Sequence, residues 1–180
     1  MSILKVARLG HPVLRTPARR LEASEIEDPA IQQLIDDMFE TMHEYEGIGL
    51  AAPQVHQGVR LFVAGVDDPD TGVPPVVMVN PEIEPLGQTT ADDWEGCLSI
   101  PDIRGMVPRS LDIRVRSLDR RGRVQSMTAS GFAARVIQHE SDHLDGVLFL
   151  DRMTSLQSLT FIAEYDRYWT EPETEDATQD

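Results

Sequence analysis

His139 and His143 stand four residues apart in Gln138-His139-Glu140-Ser141-Asp142-His143. On a helix that spacing puts both imidazoles on one face, one above the other, where they can reach a single metal ion. Glu140 lies beside them. It is poorly placed as a third ligand but well placed to carry protons for a water held by the ion, which is the chemistry of an H-E-x-x-H helix. The plainer reading is a solvated helix face carrying two incidental histidines out of five in the chain.

A catalytic metal centre takes three protein ligands and keeps one position open. The two histidines leave one ligand to find, and Cys97, in Trp94-Glu95-Gly96-Cys97-Leu98-Ser99, is the only thiol in the chain. A lone cysteine is commonly a small buried hydrophobe. The missing ligand makes Cys-His-His the economical alternative. In Gly47-Ile48-Gly49-Leu50-Ala51-Ala52-Pro53-Gln54 every residue is small or apolar until one amide side chain appears. Gln54 reads either as a turn residue before a strand or as the loop's one functional group.

These residues need elements to hold them. Residues 3 to 22, with Gly10, Pro12 and Pro17, read as an extended arm with at most a helical turn before Arg15. Ile31, Leu34, Ile35, Met38, Phe39 and Met42 recur at helical spacing and predict an amphipathic helix over 29 to 45, ended by Gly47 and Gly49. Valine- and isoleucine-rich strands follow at 60 to 66 and 75 to 84, joined by a turn at 67 to 72, with Pro81 and Pro85 placing the end of the second at a sheet edge. Residues 111 to 119 alternate as a strand, Asp119-Arg120-Arg121-Gly122 signals a hairpin, and a strand near 123 to 128 leads to Ser130 as N-cap of the histidine helix. Phe132, Val136, Ile137 and Leu144 fall on its buried side and Gly146 closes it. Val147 to Leu150 reads as a short buried strand, and a last amphipathic helix runs from about Ser155 through Leu156, Leu159, Ile162 and Tyr165. The acidic stretch after Trp169 lacks apolar residues and reads as a disordered tail. The chain therefore divides into one catalytic domain, 1 to 169, and a tail, 170 to 180.

At 180 residues, with 41% hydrophobic and 26% charged content, the chain can bury one core without staples. Sixteen basic against thirty-one acidic residues give a formal net charge of −15, which opposes any broad grip on nucleic acid or anionic lipid. A single cysteine forms no intrachain disulfide and suits a reducing compartment. There is no signal-like start and no membrane-length apolar stretch, so a cytoplasmic protein is expected, with a monomer the default.

Together, the Gly47–Gln54 loop, Glu95-Gly96-Cys97-Leu98-Ser99 and Gln138–His143 resemble, in order and spacing, the three motifs of peptide deformylases. The likeness extends from Gly10-His11-Pro12 to Asp151-Arg152. It implies an α+β fold with antiparallel β-sheets packed around the metal-binding helix, an N-terminal amphipathic helix and a C-terminal helix. It also implies removal of the formyl group from the N-terminal formyl-methionine of new polypeptides, with transient proximity to the ribosome. Carried over residue by residue, Cys97, His139 and His143 are the metal ligands, Glu140 is the catalytic carboxylate, and Gln54 with the Leu98 backbone N–H are the oxyanion donors. Ile48, Gly49, Phe132 and Val136 are candidates for the slot that takes the methionine side chain. One divalent ion is implied. The donor set alone argues for Zn(2+) and the family for Fe(2+), which we favour, with Ni(2+) or Co(2+) able to substitute. Arg135 departs from the pattern. It sits one turn before His139, where many bacterial members carry an aliphatic residue, and looks more like the organellar branch.

Two other functions share part of this pattern. An H-E-x-x-H metallopeptidase would want a third histidine or glutamate downstream, and no histidine follows His143. A non-catalytic module stapled by metal would close the site with a fourth protein ligand.

Overall fold

The computed structural model describes residues 2–65 and 72–170. The turn expected at 67 to 72 and the acidic tail fall almost wholly outside these residues. The N-terminal arm is extended apart from one 3-10 turn, Pro12–Arg15. After a short helix α1 (Ala23–Ile26) comes the first long helix, α2 (Pro29–Glu44), whose N-cap Asp28 accepts a hydrogen bond from the Ala30 N–H. Pro29 suits the first helical position because its missing N–H would have no intrahelical partner there.

Strands β1 (Gly49–Ala51), β2 (Leu61–Ala64), β3 (Val76–Pro85), β6 (Asp112–Leu118) and β7 (Val124–Ser130) form one antiparallel sheet in the order β1-β2-β3-β6-β7. Strands β4 (Thr90–Cys97), β5 (Ile100–Ser110) and β8 (Thr160–Phe161) form a second, in the order β4-β5-β8. In β3 the register with β6 shifts between Val79 and Glu82, and beyond Val79 the strand loses β2 as a neighbour. Pro81 sits in that irregularity, where a missing N–H breaks no ladder.

The histidine helix α3 (Gly131–Leu144) packs on β1, β2, β5, β6 and β7. Strand β2 shows how the core is divided. Phe62 and Ala64 face the α3 side with Val136, Ile137 and Leu144, while Leu61 and Val63 face the α2 side with Ile35, Met38 and Met42. A strand buried on both faces reads as an unbroken apolar run, and burial of Leu61, Phe62 and Val63 stabilises the fold by about 1.5–3 kcal/mol each. The α+β class expected from the sequence is the architecture found.

Several local expectations are corrected. Ser130 does stand at the N-cap of α3, with extended backbone, but its side chain makes no capping hydrogen bond. Phe132 is 46% exposed rather than buried, because its side chain borders an open cleft instead of the core. Residues 147 to 150 are not a strand. Leu148 and Phe149 are buried as expected, but Phe149–Arg152 is a helical turn, α4, started by the Asp151 carboxylate accepting from the Leu148 N–H at 2.7 Å. The final helix is broken into a 3-10 turn, Leu156–Ser158, then β8, then α5 (Ile162–Tyr168), because Thr160 and Phe161 pair with β5. Strands β4 and β5 carry no expectation from the sequence.

Candidate metal centre and active site

Helix α3 presents His139 and His143 on one face, with ring centroids 5.0 Å apart. Cys97 is the last residue of β4, where the register with β5 shifts between Gly96 and Cys97. That irregularity turns the thiol toward the helix, and Cys97 Sγ lies 3.3 Å from His143 Nε2. One potential ligand atom from each of Cys97, His139 and His143 falls within 4.8 Å of the other two. Metal–sulfur and metal–nitrogen bonds of about 2.0–2.3 Å set the edge of a tetrahedron at roughly 3.5 Å, so the three donors fit one ion with little movement.

The surroundings favour the same use. Glu95 Oε2 lies 2.9 Å from His139 Nδ1, which leaves Nε2 of that ring free for a ligand. Burial pushes the Cys97 thiol up, but the two imidazoles beside it pull harder and hold it well below the usual thiol range, toward the form that binds metal. The Glu95 carboxylate is 5% exposed and accepts from Arg109 Nε at 2.9 Å, Arg109 Nη2 at 3.0 Å and Arg135 Nη1 at 2.9 Å. Burial raises its pKa, yet His139 and Arg109 bring it down to about 2. Arg109 also pairs with buried Asp142, which binds Arg152 in turn. A buried carboxylate is tolerated only when paired in this way.

Glu140 has a different environment. It is 4% exposed and its Oε2 has no hydrogen-bond partner among the described residues. Burial lifts its pKa to about 7 against the opposing pull of His139 and His143. A carboxyl so poised can take and give a proton near neutrality. Gly49 lies directly against it, and a Cβ on Gly49 would stand 2.3 Å from Glu140 Oε1.

Gln54 is 1% exposed, in a 3-10 turn rather than on the surface. Its Oε1 accepts from the Ala51 N–H at 2.7 Å, which fixes the amide so that Nε2 points at Ser99 Oγ, 3.3 Å away, and Cys97 Sγ, 3.5 Å away. The N-terminal arm fastens this region, with Ala7 N–H donating to Gln54 O at 2.7 Å and Leu9 N–H to Ser99 O at 2.8 Å.

A cleft of about 500 Å³ opens over these groups, with Ile48, Gly49, Gln54, Leu98, Phe132 and Val136 all in its lining along with Cys97, His139 and Glu140. Phe132, expected both on the buried side of the helix and as a candidate for the methionine slot, is an exposed aromatic on the cleft wall. His143 lies behind this lining, 1% exposed. Arg135 also borders the cleft, but its guanidinium is turned to Ala91 O and Val107 O, each at 2.7 Å, and to Glu95. It ties β4, β5 and the carboxylate behind His139 together. Sequence reasoning gave no role to Glu95, Arg109 or Asp142. Glu95 opens the cysteine motif, but residue type alone does not say that it meets a histidine 44 positions away.

Two imidazoles, a thiolate and a carboxyl with one unpartnered oxygen, at or just behind the floor of a cleft, are the parts of a mononuclear metal-dependent hydrolase. The family model described as polypeptide deformylase matches residues 3–159. Peptide deformylase 2 of Nostoc sp. is 43% identical over 174 residues, 93% of this chain and 96% of that protein. A crystal structure of peptide deformylase from Thermotoga maritima is matched with a TM-score of 0.79 at 39% identity, over 86% of this chain and all of that one. So is a Met-Ala-Ser-bound class I type b peptide deformylase from Acinetobacter baumannii, with a TM-score of 0.79 at 39% identity over 85% of this chain and all of that one. The chain belongs to the polypeptide deformylase family. Among the described residues, no helix is long and apolar enough to cross a membrane.

Proposed function

We propose that Cys97, His139 and His143 hold one divalent ion with which this chain removes the formyl group from the N-terminal formyl-methionine of newly made polypeptides. The observation that carries the reading is the pairing of that donor set with Glu140, a buried carboxyl facing the same cleft with a free oxygen and a pKa lifted to about 7. When bound, the ion supplies Lewis-acid activation, bringing the pKa of a water from 15.7 down to roughly 7. Glu140 takes the proton from the water that attacks the formyl carbon, and delivers it to the leaving amine as the C–N bond breaks. Negative charge collects on the former carbonyl oxygen. Gln54 Nε2, pre-aimed by its bond to Ala51, and the Leu98 N–H donate to that oxygen, where a fixed donor needs no reorganisation. Glu95 holds the His139 ring in the tautomer that leaves Nε2 free, and is itself held by Arg109 and Arg135.

Substrate binding follows from topology. Among the described residues, β1 and β4 are the terminal strands of their sheets, each paired on one side only, and Gly49 of one and Gly96 of the other both border the cleft. An extended peptide between them adds a strand to both, which reads backbone rather than sequence and suits an enzyme for many nascent chains. Ile48, Phe132 and Val136 supply the apolar slot for the methionine side chain. We take Fe(2+) as the native ion, since selection in cells depends on metal availability as well as affinity. A monomeric cytoplasmic enzyme made of one domain, 1 to 169, meeting nascent chains near the ribosome, completes the reading. Mass spectrometry of formyl-Met-Ala-Ser after incubation with the metal-loaded protein tests it: loss of the formyl group alone is expected, whereas cleavage of the Met-Ala bond or an unchanged peptide contradicts it.

A further inference from the structure

The segment after α4 poses a packing problem. Helix α5 contains no buried residue, so core formation does not explain why it docks where it does. Its contacts are with the cleft. β8 pairs with β5 through Ile103↔Phe161 and Arg104↔Thr160, and Met106 N–H donates to Ser158 Oγ at 3.0 Å. Trp94, a cleft residue, meets Tyr165 edge-to-face at 4.9 Å and Trp169 at 5.3 Å. The Arg104 guanidinium carbon lies 5.0 Å from the centre of the Tyr165 ring, a cation–π distance. Ile162 itself lines the cleft. Arg104 Nε, meanwhile, is buried with no hydrogen-bond partner among the described residues, on a side chain that borders the cleft. A buried donor without a partner is costly, and the Tyr165 ring lies against the side chain that carries it.

Position along the strand says which part of a ligand this wall meets. Trp94 precedes Cys97 by three residues of β4, roughly 10 Å at the rise of an extended strand. A peptide lying along the β4 edge has the same rise, so this wall faces residues beyond the formyl-methionine.

We propose that Thr160–Trp169 is a specificity element of the deformylase cleft, reading the residues that follow formyl-methionine. Ile162 gives apolar contact to those residues. Tyr165 is a positioning residue that holds Arg104 and Trp94 in the wall those residues pack against. The inference rests on the deformylase reading, and substrate length separates the two.

The experiment measures kcat and KM for formyl-Met-Ala-Ser and for the single-residue substrate formyl-methionine amide. It uses the metal-loaded full chain and the variants Tyr165→Ala, Tyr165→Phe and Ile162→Ala. In Tyr165→Ala and Ile162→Ala, kcat/KM for the tripeptide should fall roughly five- to tenfold relative to the single-residue substrate, mainly through KM, as for loss of uniform binding. Tyr165→Phe keeps the ring and should keep the parent ratio. Equal loss on both substrates would mean that the segment only supports the fold, and an unchanged ratio in both alanine variants would mean that it does not touch the peptide. Either overturns the proposal while leaving the deformylase reading intact. A parent protein that deformylates neither substrate overturns the function and this inference with it.

Discussion

Gly49→Ala isolates the placement of Glu140 from its chemistry. The added methyl carbon would stand 2.3 Å from Glu140 Oε1, 2.6 Å from Cδ and 2.7 Å from Cγ, against an ordinary contact distance of 3.4 Å or more. The clash reaches down to Cγ, so a swing of the carboxylate tip does not relieve it. The whole side chain has to retreat by about 1 Å, in an interior too densely packed to absorb the shift freely. A displacement of that size at a reacting group costs on the order of 100-fold in rate. Gly49 has none of the positive backbone angles that would make alanine itself strained, so the stability cost is confined to overpacking, about 1–3 kcal/mol. The assay pairs kcat on formyl-Met-Ala-Ser with metal content and the unfolding midpoint. The expected result is a folded, metal-loaded protein with kcat down about 100-fold. Turnover within about threefold of the parent, with metal bound, would refute the claim that the position of Glu140 limits the chemistry.

Three further expectations concern the other parts of the site. Gln54→Ala should lower kcat roughly 100- to 1,000-fold with little change in KM, since a fixed donor matters most when charge develops on oxygen; a rise in KM alone would remove Gln54 from the oxyanion role. Glu95→Gln should weaken metal affinity roughly 10- to 100-fold in a chelator competition, because the His139 ring loses its charged partner, and unchanged affinity would show that the ring needs no such support. Protein purified without oxygen should carry iron and high activity that declines in air as the ion is lost and Cys97 oxidises, with Ni(2+) or Co(2+) restoring an air-stable enzyme. Full, air-stable activity that tracks zinc content alone would defeat the iron assignment and leave the three ligands standing.

The parts of the molecule legible in the sequence are those set by local periodicity. Helix α2 follows from Ile35, Met38 and Met42 at helical spacing, and α3 from the same pattern with two histidines on one face. Strands β4 and β5 were not legible, because Pro101, Gly105 and Pro108 interrupt any alternation and the long hairpin is held by cross-strand pairing instead. Val147 to Leu150 illustrates the ambiguity of a short apolar run, which is equally at home in a strand or a buried helical turn. The Asp151 carboxylate decided it, three residues on from Leu148. In the site, Cys97, His139, Glu140, His143 and Gln54 could be singled out because their types are chemically conspicuous. Glu95, Arg109 and Asp142 could not, because a buried ion pair is made between residues far apart in the chain and leaves no spacing to read.

The central claim is that Glu140 works on a formyl group beside an ion held by Cys97, His139 and His143. Formate release from formyl-Met-Ala-Ser by the parent and by Glu140→Ala, each with its metal content measured on the same sample, tests it most directly. The account predicts formate and intact Met-Ala-Ser from the parent, and a variant that keeps its ion but releases formate at least about 100-fold more slowly. Equal rates from two equally loaded proteins, or cleavage of the Met-Ala bond in place of formate release, would contradict it.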